Sequence, residues 1–297
     1  MKSLELKHTD HIRLEQAFKQ WLSLTGYAPS SVYSLPSYIR EFLHYLESNS
    51  LQLDQLSPQD TNTYFFQLKQ RKKQRQTGAL STSYLHKHLQ ALRRFSEYLQ
   101  QTGQGSIEID LVLPEVKAKT PEIFTIEQIK KLYNECDRSA FGMRDRAMLS
   151  VFYGLGLRRS EAENLNASDF IPGKNLLYVQ KSKTGYQRYV PVTDEISADL
   201  QSYVDEARMQ IVQPGSSKLD KDALFLSERG TRLNGQSMHL RLKQLLEKAE
   251  LPCVSLHTLR HSIATHLLQS GMSLQNIARF LGHRSLESTQ IYTHISF

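Results

Sequence analysis

Apolar residues recur along most of the chain at spacings of three and four, the period of amphipathic helices. From about Thr9 to Gln101 the pattern predicts helices and no strand. The segment HIRLEQAFKQWLSL offers Ile12, Phe18, Trp21 and Leu22 as a buried face. Pro29-Ser30-Ser31 breaks it, and a second helix follows through Tyr38, Ile39, Phe42, Leu43, Tyr45 and Leu46, with Pro36 in its first turn or kinking it. Ser57-Pro58-Gln59-Asp60 starts a third, with serine as cap and proline at the first helical position. It carries Tyr64, Phe65, Phe66 and Leu68 into LKQRKKQR. After Thr77-Gly78 a fourth helix places Leu85, Leu89, Leu92, Phe95 and Leu99 on one side.

Periodicity fades between Gly103 and Thr120, where Gly, Pro and mixed charge read as an interdomain linker. This predicts a helical domain over 1–105, a linker over 106–120 and a second domain over 121–297. Helical spacing returns at Thr125, which caps IEQIKKLYNEC, and again over DRAMLSVFY, ended by Gly154-Leu155-Gly156. One persuasive β-signal follows: Leu176–Val179 and Arg188–Val192 are β-rich runs joined through Lys183-Thr184-Gly185, a hairpin with a glycine turn. A short third strand is expected near Asp169-Phe170-Ile171. Helices around Ile196–Met209 and Ser237–Lys248 complete a mainly α domain with a small antiparallel sheet.

Composition changes this picture little. Of 297 residues, 39% are hydrophobic and 23% charged, an ordinary globular balance. Lys and Arg number 37 against 30 Asp and Glu, a net charge of +7 that by itself is weak evidence for an acidic partner and fits a nucleic-acid binder better than an acidic-surface protein. Two cysteines, Cys136 and Cys253, stand far apart with no metal-ligand or disulfide spacing, so no metal is expected and a reducing cytoplasm is. The N-terminus lacks the apolar run of a signal peptide, and no stretch approaches a membrane span. Lys69, Arg71, Lys72, Lys73 and Arg75 form the densest basic run, and Lys87, Arg93 and Arg94 add charge to the fourth helix. Taken alone, such a run is as readily a solvated helix end as a contact to DNA phosphates.

Candidate chemistry concentrates in the last residues, SLHTLRHSIATHLLQSGMSLQNIARFLGHRSLESTQIYTHISF. His257 and Arg260 are three apart, on one face of a helix. His283 follows a Leu-Gly pair, and Tyr292 comes nine residues later. Arg158 sits in GLRRSE, where a tight turn opens another helix. Cleaving a phosphodiester without metal needs fixed cations around the phosphate, a nucleophile, and an acid for the departing sugar oxygen. Arginine suits the clamp, because its planar fork takes two phosphate oxygens and stays charged.

With these motifs in order, the chain resembles the tyrosine recombinase (phage integrase) family, in its Xer-like form. The resemblance rests on GLRRSE, SKTGYQRYVP, HTLRH, LGH and IYTH, and covers nearly the whole chain. It implies a helical core-binding (SAM-like) domain, a linker and a catalytic domain arranged as a C-shaped clamp on DNA. It implies that Arg158 and Arg260 clamp the scissile phosphate, that Lys183 protonates the leaving 5′-oxygen, and that His257 assists proton transfer. It further implies that His283 hydrogen-bonds a phosphate oxygen, Glu161 supports the site, and Tyr292 attacks to give a 3′-phosphotyrosyl link. Lys181, two positions away, is the alternative to Lys183, and Lys181 and Arg188 are expected to touch DNA. His261 and His266 read as structural or helix-face residues, and His294 as a tail residue.

No cofactor is implied: the phosphotyrosyl bond conserves the energy of the broken phosphodiester, and no GxxxxGK[ST] occurs. The implied partners are double-stranded DNA with paired recombination sites and further copies of the chain, two per site and four in the synapse. Accessory DNA-bending or directionality proteins are also possible partners under this resemblance. Only five residues follow Tyr292, whereas many relatives continue into a helix that docks on a neighbouring subunit, so either the chain is shortened or its subunits couple by another contact. Two other functions stand beside this one: a type IB topoisomerase, which shares the chemistry without pairing sites, and a DNA-binding regulator with an idle active site.

Overall fold

The computed structural model describes residues 4–71, 80–115, 122–180, 187–212, 219–283 and Thr289. The chain divides into two compact units, Met1–Ala118 and Lys119–Phe297.

The N-terminal unit packs α1 (Thr9–Leu24), α2 (Pro29–Ser48), α3 (Pro58–Gln70) and α4 (Thr82–Gln101) around one core. Phe18 and Leu22, Ile39, Phe42 and Leu46, and Phe95 have no solvent contact, each contributing about 1.5–3 kcal/mol by burial. Ser57 caps α3 reciprocally with Asp60, and Pro58 takes the first helical position. Two expectations change. Ile12 is 38% exposed and leaves the buried face of α1 to Phe18 and Leu22. Pro29 opens α2, where a missing N–H costs nothing, and Pro36 lies well inside that helix, buried. The stretch read as a linker also begins as part of this unit. Ile107, Ile109, Leu111 and Leu113 pack on the helical core, and Ser96 exchanges hydrogen bonds with the backbone of Ile107 at 2.9 and 3.0 Å.

The C-terminal unit opens with α5 (Ile126–Asn134), capped by Thr125 with Gln128 in return. α6 (Ala140–Leu149) runs on into a π-helical turn, Ser150–Gly154, and a tight turn leads to α7 (Arg159–Glu163). Three antiparallel strands follow in the order β1-β2-β3: Phe170–Ile171, Leu176–Val179 and Arg188–Pro191. Their alternation is clean. Leu177, Val179 and Val190 face the core, while Tyr178 and Tyr189 pair on the other face with ring centroids 5.0 Å apart. The turn through Lys183-Thr184-Gly185 lies outside the described residues. α8 (Asp194–Ser202) leads into a second π-helical turn, Tyr203–Ala207, and α9 (Gly235–Lys248), α10 (Leu256–Gln269) and α11 (Leu274–Leu281) complete the unit. The fold is thus mainly helical, with its small sheet in the C-terminal unit. No helix among the described residues is long and apolar enough to cross a membrane.

Two packing events place the site. Ala264 of α10 meets Ile277 and Leu281 of α11 in a small apolar cluster, which lays the end of α11 beside α10. Gly156, at φ +60°, closes the turn before α7, and a Cβ there would stand 2.6 Å from Leu281 Cδ2. Only glycine allows both the backbone angle and that approach. The end of α11 is therefore held between α10 and the turn that leads to α7.

Candidate active site

An α-helix ends with carbonyls that have no partner within it and a partial negative charge. At the end of α11 three arginines take up those carbonyls. Arg188 Nε donates to the Phe280 oxygen at 3.0 Å, and Arg260 Nη2 to Leu281 at 2.7 Å. Arg158 donates to Gly282 from both Nη atoms at 3.2 Å. They come from β3, α10 and the start of α7, so three separate elements are tied to one helix end. Arg260 also donates to the Gly156 carbonyl at 2.5 Å and is almost wholly buried.

The same arginines surround one carboxylate. Glu161, whose side chain is fully buried, accepts from the backbone N–H of Arg158 at 3.0 Å and from its guanidinium at 2.9 Å. Arg188 grips both Glu161 oxygens, at 3.1 and 3.0 Å, and Arg260 Nη1 lies 3.8 Å from Oε2. Burial would raise the Glu161 carboxyl, but hydrogen bonding and charge from Arg188, and then from Arg158, hold it below the usual carboxylate range. Three guanidiniums share this one carboxylate, so the cluster keeps an excess of positive charge.

The imidazoles beside it stay neutral. His283, directly after Gly282, is pushed down to about 3 by burial and by the charges of Arg260 and Arg158. Its Nδ1 lies 2.8 Å from the Thr289 hydroxyl, which is buried. His257 is lowered by burial and then by Arg260 and Arg158. His261, one turn further along α10, meets the His257 ring edge-on with centroids 4.6 Å apart, and burial with the charge of its neighbours takes it down to about 4. His266 pairs with the Tyr153 hydroxyl at 2.9 Å, a structural role. A buried cluster of cations with neutral donors around it is built for an anion.

Of the expected site residues, Arg158, Glu161, Arg260 and His283 come together at the end of α11, and His257 lies one turn from Arg260 on α10. Lys183, Lys181 and Tyr292 lie outside the described residues.

The family model for the phage integrase family matches residues 122–297. The chain belongs to that family. The tyrosine recombinase XerC of Oceanobacillus iheyensis is 34% identical over 221 residues, 73% of this chain and 72% of that protein. The XerC of Herpetosiphon aurantiacus is 32% identical over 294 residues, 95% and 92% of the two chains. Among solved structures, the XerH site-specific recombinase bound to a palindromic difH substrate shares the fold with a TM-score of 0.73 at 20% identity, covering 96% of this chain and 81% of that one. As a phage integrase family member, the protein is a tyrosine-type site-specific DNA recombinase.

Two of the residues read as contacts to DNA have other employment. Arg188 is largely buried and spends its fork on both Glu161 oxygens and the Phe280 carbonyl. Arg71 ends α3 and pairs with the buried carboxylate of Glu41. Lys69, Lys87 and Arg93 are exposed. Arg94 is half-exposed, over the Tyr27 ring and beside Glu97. Lys72, Lys73 and Arg75 lie outside the described residues. The sequence reading missed Thr289 as a partner of His283 and His261 as a neighbour of His257. For His261 the signal was present, since positions 257 and 261 are one helical turn apart.

Proposed function

We propose that this recombinase cuts and rejoins DNA at paired sites through Tyr292, with Arg158 and Arg260 clamping the scissile phosphate. The observation that carries this reading is the convergence of Arg158 and Arg260 on one helix end beside Glu161, which leaves excess positive charge. A pentacovalent phosphorane carries more negative charge than the phosphodiester, so fixed cations favour the transition state over the ground state.

In this reading the Tyr292 oxygen forms a bond to phosphorus while the bond from phosphorus to the 5′-oxygen breaks. A free phenol has a pKa of about 10, and the cationic cluster favours the phenolate as it forms. Neutral His257 assists transfer of the phenolic proton, and neutral His283 hydrogen-bonds a phosphate oxygen. Lys183, or Lys181 beside it, gives a proton to the departing 5′-oxygen. A 5′-hydroxyl from the partner strand then attacks the phosphotyrosine and reverses each step, with no nucleotide or metal consumed. In the same reading Lys69, Lys72, Lys73, Arg75, Lys87, Arg93 and Arg94 contact the DNA backbone.

We assign two copies of the chain to each site and four to the synapse. The relatives' names as recombinases and the palindromic substrate of XerH support this assignment, since a palindrome offers two equivalent half-sites. The test is recombination between two copies of a duplex selected for binding from a randomised pool, carried on one supercoiled plasmid. Deletion or inversion according to site orientation is expected. Relaxation of the plasmid without either product would point to a topoisomerase, and binding without cleavage to a regulator.

A further inference from the structure

We propose that Arg188 is a positioning residue for the phosphate clamp: from β3 it sets Glu161 and the end of α11 relative to one another, and through them aligns Arg158 with Arg260. This rests on the reading of those two arginines as the clamp. Arg188 itself has no assigned role in the chemistry, and its place in the sequence, on a strand after a basic turn, points to DNA instead.

The geometry points to positioning because Arg188 touches the same two objects that each clamp arginine touches. Its Nη atoms take both Glu161 oxygens at 3.1 and 3.0 Å, and its Nε takes the Phe280 carbonyl at 3.0 Å. Arg158 holds Glu161 Oε1 and the Gly282 carbonyl, and Arg260 lies near Glu161 Oε2 and holds the Leu281 carbonyl. Glu161 and the α11 end are thus two rails, and Arg188 is the cross-piece that sets the gap. All three nitrogens of its guanidinium are taken up by the Glu161 carboxylate and the Phe280 carbonyl, so its fork is spent within the clamp.

The fork is needed at this position. Lysine offers a single point charge and cannot span two carboxylate oxygens and a carbonyl at fixed angles. Gly282 shows how closely the parts are fitted. Its φ is +66°, and a Cβ there would stand 2.6 Å from Arg188 Nη1 and 2.9 Å from Cζ. The glycine of the Leu-Gly-His motif is therefore accounted for by the guanidinium packed against it, and His283 follows at once in the chain. Taking three charged side chains out of water is costly, and a core built for stability alone would be served as well by apolar residues. What the ionic arrangement supplies is a fixed spacing between two cations.

The test compares wild type with Arg188→Lys and Arg188→Gln in single-turnover cleavage. The substrate is a duplex selected from a randomised pool by the wild-type protein, carrying either a phosphodiester or a neutral methylphosphonate at the scissile position. Thermal melting and binding affinity establish that each variant is folded and holds DNA. The expected result is binding within about threefold of wild type, and phosphodiester cleavage reduced at least about tenfold, more for Gln than for Lys. On the methylphosphonate the deficit should shrink to within about threefold, because the charge that misaligned arginines fail to neutralise is gone. A general structural defect would lower both rates alike. Equal deficits on the two substrates, or folded variants with wild-type rates, would overturn the proposal. Gly282→Ala crowds the guanidinium from the α11 side without removing a charge, and its substrate ratio decides the matter if neither Arg188 variant folds. No cleavage by the wild-type protein on any selected duplex would overturn the clamp reading itself. An active wild type beside unaffected variants would overturn the role of Arg188 alone.

Discussion

Arg158 and Arg260 share an acceptor: the Leu281 carbonyl receives Nη1 of Arg158 at 3.4 Å and Nη2 of Arg260 at 2.7 Å. Two like charges meeting on one oxygen repel each other, and the α11 carbonyls and Glu161 offset that repulsion without cancelling it. If the pair acts on the transition state, Arg158→Ala or Arg260→Ala should slow single-turnover cleavage by about 10²–10³, or roughly 3–4 kcal/mol. DNA affinity should change far less, because one phosphate among many is lost. An equal loss of affinity and rate in gel-shift and cleavage assays would make them ground-state contacts.

Glu161 is the single carboxylate that these guanidiniums share, so its charge has structural weight beyond one pair. Replacing it by glutamine leaves buried cations short of their counter-charge. Glu161→Gln should lose about 3–5 kcal/mol of unfolding free energy in urea. The exposed Lys243–Glu247 pair, broken in the same way, should lose no more than about 1 kcal/mol. Comparable losses for the two would show that burial adds nothing at Glu161.

Histidines set the acid side of the stability profile. His283 and His88 are held down to about 3 and His261 to about 4, each by burial first and then by nearby charge: Arg260 for His283, Arg71 for His88 and His257 for His261. The folded protein keeps these rings neutral where an unfolded chain, with imidazoles near about 6.5, protonates them. Below about pH 6.5 the unfolded state therefore binds more protons, and stability falls as pH drops toward 3. Urea midpoints at pH 7.5, 6 and 5 should decline in that order, and the decline should be shallower in His283→Asn. A flat profile across that range would contradict the neutral assignment.

Much of this was legible in the chain, and the exceptions have physical causes. The heptad-like run Leu85, Leu89, Leu92, Phe95, Leu99 announces α4 because every member is buried. The pair of β-rich runs announces β2 and β3, because alternation with period two survives even in four residues. The residues at 107, 109, 111 and 113 carried that alternation too, with Val112 91% exposed between half-buried neighbours, but Gly and Pro around them suggested a linker. Ile12 has a helical position yet faces water, since period alone does not say which side of a short helix meets the core. Among the site residues, Arg158, Arg260 and His283 were visible through their motifs. The pairing of Arg188 with Glu161 was not legible, because the two lie 27 residues apart and no local pattern reports a pairing made by folding.

The exposed cations of the N-terminal unit give a separate check on DNA contact. Lys87 and Arg93 stand on α4 with no carboxylate partner among the ion pairs of the described residues. Lys87→Ala or Arg93→Ala should weaken binding to all duplexes alike and reduce the slope of log affinity against log salt by about 1. A change in sequence preference with an unchanged slope would make them base contacts.

The central claim is that Tyr292 becomes bonded to DNA within the arginine cluster. We would incubate the protein, in EDTA, with a selected duplex nicked beside the scissile phosphate, so that the cut end diffuses away and rejoining fails. Denaturing gels and peptide mapping would then locate any adduct. The account predicts a 3′-phosphotyrosyl link at Tyr292, formed without metal and absent from Tyr292→Phe, which should still bind the duplex. An adduct on another residue, or one that forms in Tyr292→Phe, would contradict it.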